Sequence, residues 1–213
     1  MLDRFLKGKN KVYVLVGGIV LIVVIIIISA YFLSTTVFKK SDNDRIVDQY
    51  EKLNNVASEE GKKYPRVNIS DYENMKYIDV DGVLDIFENN KDAVIYFGYP
   101  TCLYCRTAIQ VLVDTAKNTE LDTLYYLDVE DLNEKYNDLL NTVGKDFIVE
   151  EDGTSKIYSP LVVFVAKGKI VSYNKGTLFS QEDPYVELDK SQIEGLSEIY
   201  RYGIRDVLES MKN

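Results

Sequence analysis

The two cysteines of the chain, Cys102 and Cys105, lie between a strand-like and a helix-like segment, and this arrangement constrains the fold more than any other feature. The residues before them, 92–97, are apolar and rich in β-favouring side chains, which predicts a buried strand. After them, apolar residues recur at helical spacing, with Thr101 as the predicted N-cap and Pro100 preventing an earlier helix start. The pair is therefore expected where a strand turns into a helix.

A C-x-x-C pair in this position is suited to thiol chemistry. Residues three apart on a helix share one face, with Cα atoms about 5 Å apart, so a disulfide can join them. Cys102 would lie near unpaired N–H groups and the positive end of the helix dipole, which favour a thiolate, and Arg106 would add positive charge. We expect Cys102 to be the nucleophile and Cys105 to resolve the mixed disulfide, with a purely structural disulfide as the alternative.

The composition excludes several other chemistries. The chain has 213 residues and a net charge of −9, which argues against nucleic acid as a partner. It contains no histidine, so Ser-His and Cys-His catalysis and histidine metal sites are excluded. Two cysteines without histidine also argue against a structural zinc site, so we expect no metal.

The first residues predict a membrane anchor. Residues 1–11 are basic, and residues 12–33 carry no charge and form a stretch long enough to span a bilayer. A cleaved signal peptide is the alternative, although its apolar core would be shorter. The positive charges before the span predict a cytoplasmic N-terminus, and disulfides persist outside the cytoplasm. We expect a single-pass protein of the cell membrane with an extracytoplasmic soluble domain.

The rest of the chain predicts one α/β domain. Residues 34–70 are polar with one amphipathic stretch, and they form either a membrane-proximal stalk or an accessory helix docked on the domain. Residues 71–213 alternate predicted strands and helices, as in a parallel core, and the strand-like runs around Lys167-Gly168 predict an antiparallel hairpin. The last helix is predicted to begin at Ser191 with a capping box.

Two stretches resemble the thioredoxin superfamily. Tyr96–Arg106 is similar to its active-site turn, and Ser159–Tyr173 is similar to its cis-proline, strand, glycine turn and strand, with Gly176 in register. Over about residues 77–213, the resemblance implies a thioredoxin-like α/β fold, with a central mixed sheet flanked by helices, here preceded by a transmembrane helix. The overall likeness is to membrane-tethered thioredoxin-like proteins of Gram-positive bacteria, including the bacteriocin transport accessory group.

The resemblance implies a thiol–disulfide oxidoreductase whose redox group is the Cys102–Cys105 disulfide, without a further cofactor. Exported or cell-surface polypeptides would be its substrates, and a redox partner protein, for which a membrane-bound protein is a candidate, would regenerate it. Substrate contacts are implied for four residues near the dithiol: Pro160 as the cis-proline, Ser159, Tyr104 and Thr101. The segments 142–158 and 178–190 exceed the family pattern and are interpreted as solvated loops, with a partner-binding rim as the alternative.

Some positions depart from the family. Thr101 replaces a tryptophan, Tyr96 occupies the position of a buried acid found in many relatives, and Leu103-Tyr104 separates the cysteines. The direction of electron transfer therefore stays open. Two alternatives also stay open: a non-catalytic binding or assembly module with a structural disulfide, and a glutaredoxin-like protein that holds an iron–sulfur cluster through Cys102 of two subunits. Missing glutathione-site signals argue against the second.

Overall fold

The computed structural model describes residues 16–30, 40–130, 136–151, 153–178 and 180–212. The chain divides into two compact units, Met1–Ser41 and Asp42–Asn213. In the first unit, residues 16–30 form a helix, α1, whose side chains are all exposed. No helix within the described residues combines the length and the apolar character needed to cross a membrane. The predicted anchor, residues 12–33, extends beyond the described residues at both ends, and the predicted cytoplasmic segment 1–11 lies outside them.

The second unit is an α/β domain with a mixed central sheet flanked by helices, as predicted. Its helices are α2 (Asp42–Glu51), α3 (Val80–Glu88), α4 (Leu103–Ala116), α5 (Tyr136–Val143) and α6 (Lys190–Met211), with a short 3-10 helix at Lys145–Phe147. Its strands are β1 (Met75–Tyr77), β2 (Ala93–Gly98), β3 (Leu124–Asp128), β4 (Ile148–Glu151), β5 (Thr154–Ile157), β6 (Leu161–Ala166) and β7 (Lys169–Lys175). The central sheet has the order β1-β3-β2-β6-β7, and β4 and β5 form a separate hairpin. β1, β3 and β2 run parallel, whereas β6 and β7 are antiparallel additions, which confirms the hairpin at Lys167-Gly168.

Side chains of the central sheet alternate between two cores, because successive residues of a strand point to opposite faces. Along β2, Val94 and Tyr96 face one core, whereas Ile95 and Phe97 face the other. The first, covered by α2, α4 and α6, is called the tyrosine core here because it buries Tyr50, Tyr72, Tyr96, Tyr126 and Tyr200. The second, covered by α3, α5 and the 3-10 helix, is called the hydrocarbon core because its buried members are aliphatic residues and phenylalanines.

Residues 42–70 are part of the domain, which decides between the stalk and the docked helix. Ile46 and Tyr50 of α2 are completely buried in the tyrosine core, as are Val67 and Ile69 farther along the segment. The compact unit therefore begins at Asp42, and the segment forms the docked accessory helix, one of the two predicted alternatives. The amphipathic stretch docks through Ile46 and Tyr50, because burial of these side chains removes apolar surface from water.

Two helix caps differ from the predictions. The N-cap of α4 is Cys102 and not Thr101, which lies in the preceding turn and is exposed. The capping box of α6 is formed by Asp189 and Gln192, so the helix begins before Ser191. The Asp189 carboxylate is a stronger hydrogen-bond acceptor than a serine hydroxyl, which explains the earlier start.

The segment 142–158 is not a solvated loop, because it folds into the 3-10 helix and the β4–β5 hairpin. Phe147 and Ile157 bury their side chains in the hydrocarbon core. The segment 178–190 is also partly packed, since Leu188 is buried in the tyrosine core. Before α5, residues 131–135 lie outside the described residues.

Candidate dithiol site

Cys102 and Cys105 form a disulfide at the start of α4, with their Cα atoms 5.1 Å apart. β2 brings the chain to this point from the middle of the sheet, and the N–H of Cys102 donates to the carbonyl of Tyr99 in the connecting turn (3.3 Å). Cys105 is completely buried, whereas Cys102 is partly exposed. Cys102 is therefore the sulfur that a partner molecule can approach.

The start of α4 favours negative charge on Cys102. As the N-cap, Cys102 accepts a hydrogen bond at its Sγ atom from the backbone N–H of Cys105 (3.1 Å). The positive end of the helix dipole lies at the same place. In the reduced protein, both effects would stabilise a thiolate at Cys102 relative to a thiol.

Arg106, which we predicted to influence the thiolate, is completely buried. Its guanidinium donates to the carbonyls of Tyr50 (2.9 Å), Pro65 (2.7 Å) and Pro100 (3.1 Å) and to Oδ1 of Asn54 (2.9 Å). Desolvation lowers the pKa of this guanidinium from its ordinary value, but an arginine side chain keeps its charge at neutral pH. The cation thus joins the segment after α2 to the turn that precedes the dithiol.

Tyr96 lies next to the buried cysteine, on the opposite side from solvent. Its hydroxyl donates to the carbonyl of Cys105 (2.7 Å), and its ring stacks on Tyr126 with centroids 5.9 Å apart. Tyr50 contacts Tyr126 edge-on, also at 5.9 Å. Desolvation raises the pKa of all three tyrosines well above 10.0, so they are neutral groups beneath the dithiol at physiological pH. Tyr96 therefore acts here as a hydrogen-bond donor to the backbone of the redox turn.

Ser159 and Pro160 lie at the same edge of the sheet as the dithiol. β2 and β6 are antiparallel with Phe97 opposite Leu161, so the end of β2 adjoins the start of β6. The Ser159–Pro160 peptide bond is cis, the conformation that the resemblance implied. Pro160 is buried and Ser159 is partly exposed.

Two open cavities flank Ser159. One, of about 400 Å³, is lined by Tyr104 and Pro160 among others, and the second, of about 680 Å³, extends from Tyr99 to the β4–β5 hairpin. The hydroxyl of Tyr104 also donates to the carbonyl of Glu182 in the segment 178–190 (3.4 Å). Tyr104, Ser159 and Pro160 line the smaller cavity together, whereas Thr101 is exposed and lines neither cavity.

Sequence reasoning missed two contributors to this site. Asn54 binds the buried guanidinium, and nothing in the sequence around it distinguishes it from a solvated asparagine. The β4–β5 hairpin lines the larger cavity, although alternation of residue types in 148–157 could have indicated two short strands. The described part of the chain contains no group of metal-ligating side chains.

Comparisons with known proteins gave no family assignment. No family model matches the chain, and no curated protein matches its sequence.

Proposed function

We propose that this protein is a thioredoxin-like thiol–disulfide oxidoreductase that acts on polypeptides through Cys102 and Cys105. The observation that carries the proposal is a disulfide at the N-terminus of a helix, with one partly exposed and one buried sulfur. The mixed five-stranded sheet with helices on both faces is compatible with this fold. The position of Pro160 at the same sheet edge supports the placement of a substrate there.

The reaction is two successive thiol–disulfide exchanges. The Cys102 thiolate attacks a client disulfide, a new sulfur–sulfur bond forms, and the other client sulfur leaves as a thiolate that takes up a proton. Cys105 then loses its proton and attacks Cys102, which restores the Cys102–Cys105 disulfide and releases the second client thiolate. The client gains two electrons and the protein loses two. The same steps in reverse transfer the disulfide to the client.

An extended client segment would lie beside Ser159, which immediately precedes β6. The backbone of Ser159 can hydrogen-bond to the client segment as a neighbouring strand would. Side chains on either side of the client cysteine would enter the two cavities that Ser159 separates. Tyr104 would contact them from the helix side, with Thr101 at the exposed end of the turn.

The proposed location follows from the sequence. Residues 12–33 would anchor the protein in the cell membrane, with residues 1–11 in the cytoplasm and the domain outside it. Clients would then be exported or cell-surface polypeptides. A redox partner protein at the membrane or outside it would return the dithiol to its starting state.

The test is to trap the mixed disulfide with full-length protein. Cys105→Ser, mixed in reduced form with a peptide that contains one disulfide, is expected to accumulate a covalent adduct at Cys102, visible by non-reducing electrophoresis and mass spectrometry. Cys102→Ser is the matched control, because it removes the accessible sulfur and keeps the buried one; it should form no adduct. The same absence of adduct with Cys105→Ser, together with no disulfide exchange by the wild type, would contradict the proposal.

A second candidate is a peptide-binding or assembly module in which the disulfide is structural. The observation that favours it is that both extra segments pack at the edge of the dithiol site and line its cavities. The double variant Cys102→Ser/Cys105→Ser distinguishes the two, since a binding module would retain its function without the sulfurs. A reduction potential below about −300 mV would also favour this candidate.

A further inference from the structure

We infer that residues 50–67 belong to the redox site, and that Asn54 is a positioning residue that holds the Arg106 cation beside the turn of Cys102, where it stabilises the thiolate. This inference rests on the proposed function, because the thiolate exists only in the reduced dithiol.

The surroundings of Arg106 are unusual for a charged side chain. It is completely buried, and within the described residues its four hydrogen bonds all go to neutral oxygens, three from backbone carbonyls and one from an amide. The titratable groups that face it from α2, β2 and the segment before Pro65 are tyrosines, namely Tyr50, Tyr64 and Tyr96. A buried charge without a counter-ion is unfavourable, and here its hydrogen bonds to neutral oxygens are what offset the cost of desolvation.

The guanidinium lies alongside the first turn of α4. Its Nη1 atom donates to the carbonyl of Pro100, two residues before Cys102, while the backbone N–H of Arg106 donates to the carbonyl of Cys102 (3.1 Å). Side chains on a helix point toward its N-terminus, which carries the guanidinium past its own Cα in that direction. In the proposed reaction, Cys102 is the group of this turn that becomes negatively charged. The thiolate therefore provides the counter-charge that the oxidised site lacks.

Asn54 determines where the cation is held. Its Oδ1 atom accepts from Nη2 of Arg106 and from the backbone N–H of Val67, both at 2.9 Å, and its Nδ2 atom donates to the carbonyl of Val67 (2.6 Å). These bonds lock the amide to the backbone of the segment, so its oxygen faces the guanidinium. An amide at this position binds the guanidinium and leaves its charge in place. A carboxylate of the same shape would bind the guanidinium and also neutralise its charge.

The substitution Asn54→Asp tests this difference, because it keeps the acceptor and adds a negative charge. The pKa of Cys102 is measured in the full-length, reduced protein from the pH dependence of its alkylation by iodoacetamide, with the modified cysteine identified by mass spectrometry. We expect a wild-type pKa below the ordinary value of about 8.5 and a rise of about one unit in the variant. The equilibrium with glutathione should shift about tenfold toward the disulfide, equivalent to about 30 mV.

Asn118→Asp is the matched control. It makes the same change of charge at an exposed position beyond the other end of α4, about 20 Å away, and should leave the pKa of Cys102 unchanged. Circular dichroism verifies that both variants are folded.

The outcomes separate this inference from the proposed function. A folded Asn54→Asp protein in which the pKa of Cys102 is unchanged would overturn the inference, even if its melting temperature fell. Disulfide exchange by the wild type would in that case leave the oxidoreductase proposal intact. A wild type that exchanges no disulfide would defeat the proposed function. If Asn54→Asp does not fold, Asn54→Ala replaces it, because loss of the amide acceptor should also raise the pKa of Cys102; an unchanged pKa in that variant would overturn the inference.

Discussion

The tyrosine core and the hydrocarbon core are built on the same strands, β2, β3 and β6, yet they bury different groups. The tyrosine core contains five buried phenol rings, the sulfur of Cys105 and, at its margin, the Arg106 guanidinium. The buried side chains of the hydrocarbon core have no polar atom. Since neighbouring residues of one strand feed the two cores, a change of residue type at alternate positions is sufficient to create the difference.

This difference shows where the domain supports chemistry and where it supports only stability. Buried polar groups reduce stability unless they are hydrogen-bonded. Two of those on the tyrosine side bond the redox turn directly, Tyr96 at the carbonyl of Cys105 and Arg106 at that of Pro100. Four other buried hydroxyls there, those of Tyr50, Tyr72, Tyr126 and Tyr200, make no hydrogen bond of good geometry within the described residues, although Tyr50 and Tyr126 interact with each other. The packing of the hydrocarbon core must compensate for the free-energy cost of burying these hydroxyls. The two cores should therefore respond differently to pH and to substitution.

The largest expected effect is alkaline unfolding, driven by the tyrosine core. Burial raises the pKa of Tyr72 to about 12 and that of Tyr50, Tyr96 and Tyr126 well above 10.0. These phenols have their ordinary pKa near 10 in the unfolded chain. The contribution of the buried neutral phenols to the free energy of unfolding is therefore fully present below pH 10, and it is lost as the pH rises from about 10 toward 12. Ionisation of Tyr72 alone accounts for a loss of about 1.4 kcal/mol at pH 11, and the three other buried tyrosines add to that loss, so we expect it to exceed the effect of any single substitution below.

The measurement is a pH series that records circular dichroism and tyrosinate absorbance on the same samples. Part of the absorbance should rise only together with the loss of the circular dichroism signal. Complete ionisation in a protein that is still folded would show that the tyrosine core is open to water, and the contrast between the two cores would then be wrong.

Arg106→Met should have the largest effect among single substitutions. It removes the four hydrogen bonds that Arg106 donates to the oxygens of Tyr50, Pro65, Pro100 and Asn54, which outweighs the relief of removing a buried charge, and we expect a loss of about 3 kcal/mol. The matched control is Leu139→Met in the hydrocarbon core, which conserves volume and should cost less than about 1.5 kcal/mol. Urea unfolding of the oxidised proteins measures both. Equal losses would mean that Arg106 matters only for packing.

Tyr96→Phe should come next. The variant keeps the ring and removes the hydroxyl that donates to the carbonyl of Cys105, so one buried hydrogen bond is lost and we expect a loss of about 1 kcal/mol. Tyr173→Phe, which removes the same atom from an exposed ring, should change stability by less than about 0.5 kcal/mol and serves as the control. A loss for Tyr96→Phe no larger than that of its control would show that the hydroxyl does not support the redox turn.

Much of this arrangement follows from local sequence patterns. The buried run of β2, the helical spacing in α4 and the turn at Lys167-Gly168 each depend on residues close together in the chain, and each is present. Lys167 and Gly168 both adopt positive φ there, as a tight hairpin requires. The spacing of Cys102 and Cys105 at a strand-to-helix turn located the site for the same reason.

The docking of residues 42–70 and the burial of Arg106 could not be predicted in this way. The bond from Arg106 to Asn54 joins residues 52 positions apart, and no local pattern records such a pairing. An amphipathic helix has the same apolar stripe whether it docks on its own domain or elsewhere, and arginine is usually exposed. Only the folded chain shows that the four oxygens around the guanidinium come from three separate stretches of sequence.

Tyr126→Phe should have the smallest effect, and it is directly comparable with Tyr96→Phe because the two rings stack on each other. The Tyr126 hydroxyl is buried and makes no hydrogen bond of good geometry among the described residues, so its removal leaves no group unpaired. We expect stability between unchanged and about 1 kcal/mol higher in urea unfolding. A loss greater than about 1 kcal/mol would mean that this hydroxyl is hydrogen-bonded in solution, for example to an internal water. The polar groups of the tyrosine core would then form a connected network beneath Cys105. The free-energy cost of burying them would be smaller than the comparison of the two cores implies.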